Sequence, residues 1–246
     1  MLKALLSLLF VLLCGVTCTA AGNSDYIINI PESLENSTDN ADVQFILNQA
    51  YGKLGITPRY VYLPTPRSKR YLESGEIQAE AFRTKEVGDT FNGATQVAIE
   101  FAKTRVAVIC TQPKLCEVDS ILHYALFSGF ERGISICDEL DIQCEFVNSA
   151  TALAKMLDTQ IVDAIIITPA GMAEILCQCA ATDLYYRFIS EVEMPLFHYI
   201  RAGDIAFTRA LEKSLSDVLR QNPDKLSGFV NVPDISACQK RLYKIN

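Results

Sequence analysis

The chain of 246 residues carries 22 lysines and arginines against 29 acidic residues, a formal net charge of −7, with no tryptophan and half its residues hydrophobic. An acidic chain with scattered lysines lacks the basic stripe that nucleic-acid binding requires, so that class is excluded. The length allows one large domain or two lobes of about 100 residues each.

Residues 1–21 read as a secretory leader: Lys3, an apolar run from Ala4 to Leu13, then a Thr19-Ala20-Ala21 cleavage site. The run is too short to span a bilayer, which needs roughly 18–20 apolar residues. "YIINI" at 26–30 predicts a strand, and "DVQFILNQAYGKLG" at 42–55 places apolar residues at helical spacing and stops at Gly55. "TPRYVYLP" at 57–64 predicts a strand, "SKRYLESG" a helix closed by Gly75, and "IQAEAF" another strand. This β-α-β-α-β rhythm belongs to an α/β unit with a parallel sheet.

A second unit follows the hinge-like "KTRVAVICTQP" at 103–113. "ERGISICDEL" predicts a short strand running into a helix, "CEFVNSA" a strand, "TALAKMLDTQ" a helix and "VDAIIIT" a buried strand. "RFISEVEMPLFHYI" at 187–200 reads as extended chain, and "DIAFTRALEKSLSDVLRQN" at 204–222 as an amphipathic helix. "IVDAIIITPAGMAEILC" is the most apolar later stretch, but Asp163 and Pro169 interrupt it, and no membrane span is expected.

Beyond the leader seven cysteines remain, and in an exported chain they point to disulfides. Cys110 and Cys116 bracket the short loop "TQPKL" and are the first candidate pair; Cys137 and Cys144, flanking "DELDIQ", are the second. The "CQC" at 177–179 suits a disulfide or a free thiol better than a metal, having no histidine nearby, and the odd count leaves one thiol over. Only His123 and His198 are present, and His198 sits in the apolar run "PLFHYI", where a hydrogen-bonded structural role is expected. No phosphate loop, HExxH or CxxC occurs, so nothing points to an enzyme or to a cofactor.

The segment "IQAEAFR" ends a strand on an arginine. In open α/β sheets ligands bind beyond the carboxyl ends of the strands, and a guanidinium there can grip an anion. Equally, Arg83 can pair with a neighbouring acid, Glu80 or Glu86. Three steps from Glu80 place Arg83 on the opposite strand face unless the strand turns. Placed at a cleft edge, Arg83 is expected to matter for affinity rather than for stability of the ligand-free chain.

"RSKRYLESGEIQAEAFR" resembles a stretch of the small bacterial periplasmic solute-binding proteins of family 3. The likeness extends through "GFERGISICDEL", "VNSATALAKMLDTQIVDAIII" and "PLFHYIRAGDIAFTRALEKSL". The resemblance implies a two-lobed α/β type II periplasmic-binding-protein fold: 22–110 in lobe 1, 111–194 in lobe 2, and 195–246 returning to lobe 1. Hinge strands would fall near 107–112 and 192–198. The cleft positions it implies are Arg67 and Arg83 from lobe 1, and Arg132, Gly133 and Thr168 from lobe 2. It also implies a monomeric, non-enzymatic periplasmic protein, without a cofactor, that captures a small polar, anionic or amino-acid-like solute. Its further partner would be the permease of an ABC-type transporter or a membrane sensor. The amino-acid binders of this superfamily commonly end the lobe-two strand in Asp, which holds the ligand's ammonium; here that place is Thr168, so amino-acid specificity does not follow.

Overall fold

The computed structural model describes residues 25–35, 37–128, 130 and 132–245; the expected leader lies outside them. Strand β1 (Tyr26–Pro31) leads through a 3-10 turn (Glu32–Leu34) into α1 (Thr38–Gly52). That helix starts four residues before the apolar periodicity does, because the Ser37 hydroxyl accepts from the Asp39 N–H at 3.1 Å and caps it. Its inward stripe, Val43, Ile46, Leu47 and Ala50, is fully buried. Next come β2 (Pro58–Leu63), α2 (Thr65–Ser74), β3 (Ala79–Thr84) and the single-turn α3 (Lys85–Gly88). Gly75 closes α2 at φ +87°, the left-handed geometry that glycine adopts without strain, with its N–H returned to the Tyr71 and Leu72 carbonyls.

The second run is β4 (Ala94–Cys110), β5 (His123–Phe127), α4 (Gly133–Glu139), β6 (Gln143–Val147), α5 (Ala150–Asp158), β7 (Ala164–Ile167) and α6 (Pro169–Leu176). Then follow β8 (Asp183–Arg201), α7 (Ile205–Gln221), two short 3-10 turns (Ser227–Phe229 and Ser236–Cys238) and β9 (Arg241–Lys244). "ERGISICDEL" forms only the helix; its strand lies upstream, in β5. Helix α6 was hidden in the apolar run, where Pro169 opens the helix directly after β7.

Among the described residues the strands form one nine-stranded sheet in the order β2-β1-β3-β8-β4-β7-β5-β6, with β9 also on β8. The outer triplets β2-β1-β3 and β7-β5-β6 are parallel. Between them β4 and β8 run antiparallel from the Ala94–Arg201 pair to the Cys110–Tyr185 pair. Both strands therefore belong to both halves. One core packs α1 and α7 on the first half, with Ile28, Ile46, Leu47, Leu211 and Leu215. The second half is covered on both faces, by Leu153, Leu157, Met172 and Leu176 on one and Tyr124, Leu126 and Ile136 on the other. The "AIII" of β7 is buried throughout, as a strand covered on both faces should be.

Two expected boundaries move. Ala107–Cys110 already pair with β7, and the β4–β8 register shifts between Arg105, opposite Glu193, and Val106, opposite Ile189. The crossing between halves therefore precedes the expected 107–112. Residues 195–246 do not all return to the first half. Helix α7 does, but Val232, Ile235, Cys238 and Leu242 pack in the second-half core, and β9 pairs with Asp183–Tyr186. That part of β8 lies beyond the reach of β3, and β9 covers the edge it would otherwise leave open.

The Cys110–Cys116 and Cys137–Cys144 bonds form as expected, while Cys177 bonds to the distant Cys238, leaving Cys179 buried as a free thiol. Non-reducing peptide mapping should recover, among the described residues, these three bonds and one thiol, at Cys179. Recovery of a bonded Cys179 would contradict the assignment. Closing the 61-residue separation of the third bond is worth about 4 kcal/mol in the chain-entropy account, against about 2 for either short loop.

His198 takes the structural role expected of it. It is fully buried; its Nδ1–H donates to the Ala81 carbonyl at 3.0 Å and its Nε2 accepts from the Tyr51 hydroxyl at 2.7 Å. A carbonyl only accepts, so the neutral Nδ1–H tautomer satisfies both contacts. Burial pushes the imidazole pKa down to about 4 from 6.5. The unfolded chain thus takes up a proton below pH 6.5 that the folded chain refuses until about pH 4. Stability present above pH 6.5 should fall by roughly 3 kcal/mol across that window. Urea melts from pH 7 to pH 4 should show a one-proton component that His198→Gln removes.

Candidate functional site

The carboxyl ends of four strands meet between the two halves of the sheet. β1 ends at Pro31, with Ser33 in the turn that follows, β3 at Arg83 and Thr84, β7 beside Thr168, and the β5–α4 loop brings Phe130 and Arg132. They line an open-mouthed cavity of about 150 Å³, together with Thr104 of β4, Met194 and Leu196 of β8, and Phe229 from the turn after α7. Of the helices that start away from this cavity, α1, α5 and α7 have side-chain caps, from Ser37, Ser149 and Asp204, while α2 opens on Pro64 without one. The turn after β1 and helices α3, α4 and α6, which start at its walls, have none. Their first backbone N–H groups are the donors that a helix leaves open at its start.

Arg83 sits in a buried network rather than in open solvent. Its Nε and Nη2 reach Glu80 Oε2 at 3.0 and 2.9 Å, and Nη2 reaches the Ser68 hydroxyl at 3.3 Å. Asn29 donates to the same Glu80 oxygen at 3.0 Å and accepts from the Leu63 N–H at 2.8 Å, which ties β1 and β2 into the network. The parity problem is solved by a bulge: Glu80 pairs with Tyr199 and Arg83 with Phe197, so three steps on β3 face two on β8. Both side chains then share a face. Glu80 is fully buried and Arg83 is 9% exposed, yet Arg83 still lines the cavity. Its partner is Glu80, because Glu86 is taken by Arg132 at 3.2 Å.

Arg132 crosses from the second half to Glu86 on α3 of the first, and its Nη2 holds Glu139 at 3.2 Å. Its Nε, like the Thr84 hydroxyl, is buried without a hydrogen-bond partner among the described residues. Both residues line the cavity. Of the expected positions, Arg83, Arg132 and Thr168 come together here; Arg67 and Gly133 are not among the lining residues. Arg67 is exposed on α2, and Ser68 beside it takes the inward place. Gly133 answers to packing, since a Cβ there would lie 2.9 Å from the Phe146 ring and 3.0 Å from Leu126. Sequence reading missed Thr84, Thr104, Phe82, Phe130 and Phe229. Thr84 was within reach, as the residue that follows Arg83 at a strand-to-helix turn. No aspartate, glutamate, histidine or cysteine lines the cavity among the described residues, and none of their side chains form a group suited to a metal ion.

No protein-family model matches the chain, and no curated protein matches it. Solved structures do. The GluR0 ligand-binding core in complex with L-glutamate aligns with a TM-score of 0.66 at 10% identity, over 84% of this chain and 98% of that one. An amino acid ABC transporter substrate-binding protein, AbpA from Streptococcus pneumoniae, bound to L-arginine, aligns at 0.60 and 9% identity over 87% and 94%. The chain has the type II periplasmic-binding-protein fold. An ancestral amino-acid-binding protein, AncCDT-1, a precursor of cyclohexadienyl dehydratase, aligns at 0.58 and 10% identity over 83% and 93%. In a type II fold with this sheet order, the cavity lies where β4 and β8 pass from one half to the other.

The buried pair reverses the stability expected of an arginine at a cleft edge. Arg83→Ala strands the Glu80 carboxylate and should cost about 3–5 kcal/mol in the ligand-free protein. The double change Arg83→Met with Glu80→Gln removes both charges and should cost less. Chemical denaturation of the two variants checks this, and an undiminished Arg83→Ala stability would refute the pair.

Proposed function

We propose that the protein is a solute-binding protein that captures a small polar, anionic solute between two lobes and presents it to an ABC-type transporter or a membrane sensor. The observation that carries the reading is the convergence of uncapped helix starts, two arginines and the unpartnered Arg132 Nε and Thr84 hydroxyl on one cavity between the sheet halves. These are donors held in place before any ligand arrives, and they suit an acceptor-rich anion. The residues before and after the β4–β8 register shift would form the hinges, with lobe 1 holding β1–β3 and α7, and lobe 2 holding β5–β7 and β9. The fold neighbours bound to L-glutamate and L-arginine support a small solute of that size class. The leader expected at residues 1–21 supports export to the periplasm. No helix among the described residues is long and apolar enough to cross a membrane.

An enzymatic reading has one point in its favour, the precursor of a dehydratase among the fold neighbours. Against it, among the described residues the cavity wall offers no carboxylate, histidine or thiol to move a proton or attack a substrate.

A thermal-shift screen against a metabolite library tests the reading. A solute at 100 times its dissociation constant should stabilise the protein by about 2.7 kcal/mol without being consumed. Turnover of the stabilising compound would favour the enzyme instead, and a library that shifts nothing would defeat solute binding.

A further inference from the structure

Resting on the solute-binding reading, we infer that the cleft selects compact carboxylates that carry no ammonium group and have an apolar body. The neighbours' ligands, L-glutamate and L-arginine, are α-amino acids. An ammonium brings N–H donors and no acceptor, so a buried one needs a carboxylate or several carbonyl oxygens. Among the described residues the wall of this cavity supplies charged groups of one sign only, Arg83 and Arg132. Of the nearby acids, Glu80 has one oxygen on Arg83 and Asn29 and its other, Oε1, buried without a partner among the described residues. Glu80 is fully buried behind Arg83 and does not line the cavity, while Glu86 and Glu139 hold Arg132. The hydroxyl at the end of β7, Thr168, can accept a hydrogen bond but cannot neutralise a charge.

The donors account for the other end of the ligand. Arg132 Nε and the Thr84 hydroxyl are buried and unpartnered among the described residues, and they come from opposite halves of the sheet. A carboxylate has acceptor sites enough to meet both at once. The rest of the wall is apolar. Phe82, Phe130 and Phe229, with Met194 and Leu196, leave little for a polar body to bond. The 150 Å³ volume equals that of an engineered apolar cavity that admits benzene. A single ring or a short branched chain therefore fits, carrying its carboxylate toward the arginines.

Titration calorimetry on skeleton-matched pairs tests the inference: phenylacetate against phenylglycine, and 4-methylpentanoate against leucine, with phenylacetamide as the uncharged control. At least one acid should bind about tenfold or more tightly than both its amino counterpart and, for the ring pair, the amide, the cost of leaving a buried charged group unpaired. Thr168→Asp, its folding checked by ligand-free melting, should narrow or reverse that preference; Thr84→Asp, on the facing wall, is the second variant should the first not fold. Amino acids binding as tightly as the acids would overturn the inference and leave solute binding standing. So would a library ligand of another class when neither pair binds, or an unchanged preference in the folded aspartate variant. If no compound in the library binds, the solute-binding reading falls, and this inference with it.

Discussion

The antiparallel pairing of β4 with β8 is the constraint on which the rest of the structure depends. Each strand is long enough to serve two parallel triplets, and the pair holds them in one sheet. Because β8 pairs with β3 at Ala79–Thr84 and with β4 along its length, the end of β3 is fixed against the middle of the sheet. Because β4 pairs with β7 at Ala107–Cys110, the end of β7 is fixed there too. Strand ends from both halves thus face one cavity, and the register shift at Arg105–Val106 marks where the backbone can bend between them.

The first wall is stiff for an electrostatic reason. A carboxylate as buried as Glu80 is tolerated only with partners, and it has Arg83 and Asn29 on one oxygen. The same contacts hold the guanidinium in the wall and tie β1 and β2 behind it. The link across the mouth is of another kind. Glu86 is 59% exposed, so its pair with Arg132 is solvated and weak. A pair so exposed would give way first under the lobe motion proposed above. In the proposed function these would serve as a rigid wall, a weak latch and a two-strand hinge, the parts that closure over a solute requires. The segment after α7 adds a third crossing: Thr104 bonds the Phe229 carbonyl at 2.9 Å in the cavity lining, and the chain then passes to the second half, where Cys238 bonds to Cys177.

Elements with a strong period or a clear terminator were legible in the sequence. Gly75 announced the end of α2, the β-branched run announced β7, and the short Cys110–Cys116 and Cys137–Cys144 spacings announced their bonds. What failed depends on distant partners. Cys238 meets Cys177 because β9 has joined β8, and a four-residue strand carries too little pattern to reveal that. The site was half legible. Arg83, Arg132 and Thr168 follow from ligand binding at strand ends, but Glu80 and Arg83 share a face only through a bulge, which a period-two reading cannot supply. Phe229, from a turn far along the chain, carries no local sign of facing a cleft.

The central claim, that a solute sits between the sheet halves and draws them together, is met most directly by small-angle X-ray scattering of the protein with and without a saturating ligand from the screen. The account predicts a smaller radius of gyration in the bound state, with the Glu86→Gln variant, which lacks the latch, closing on the same ligand. An identical scattering profile with one equivalent of ligand bound would contradict it.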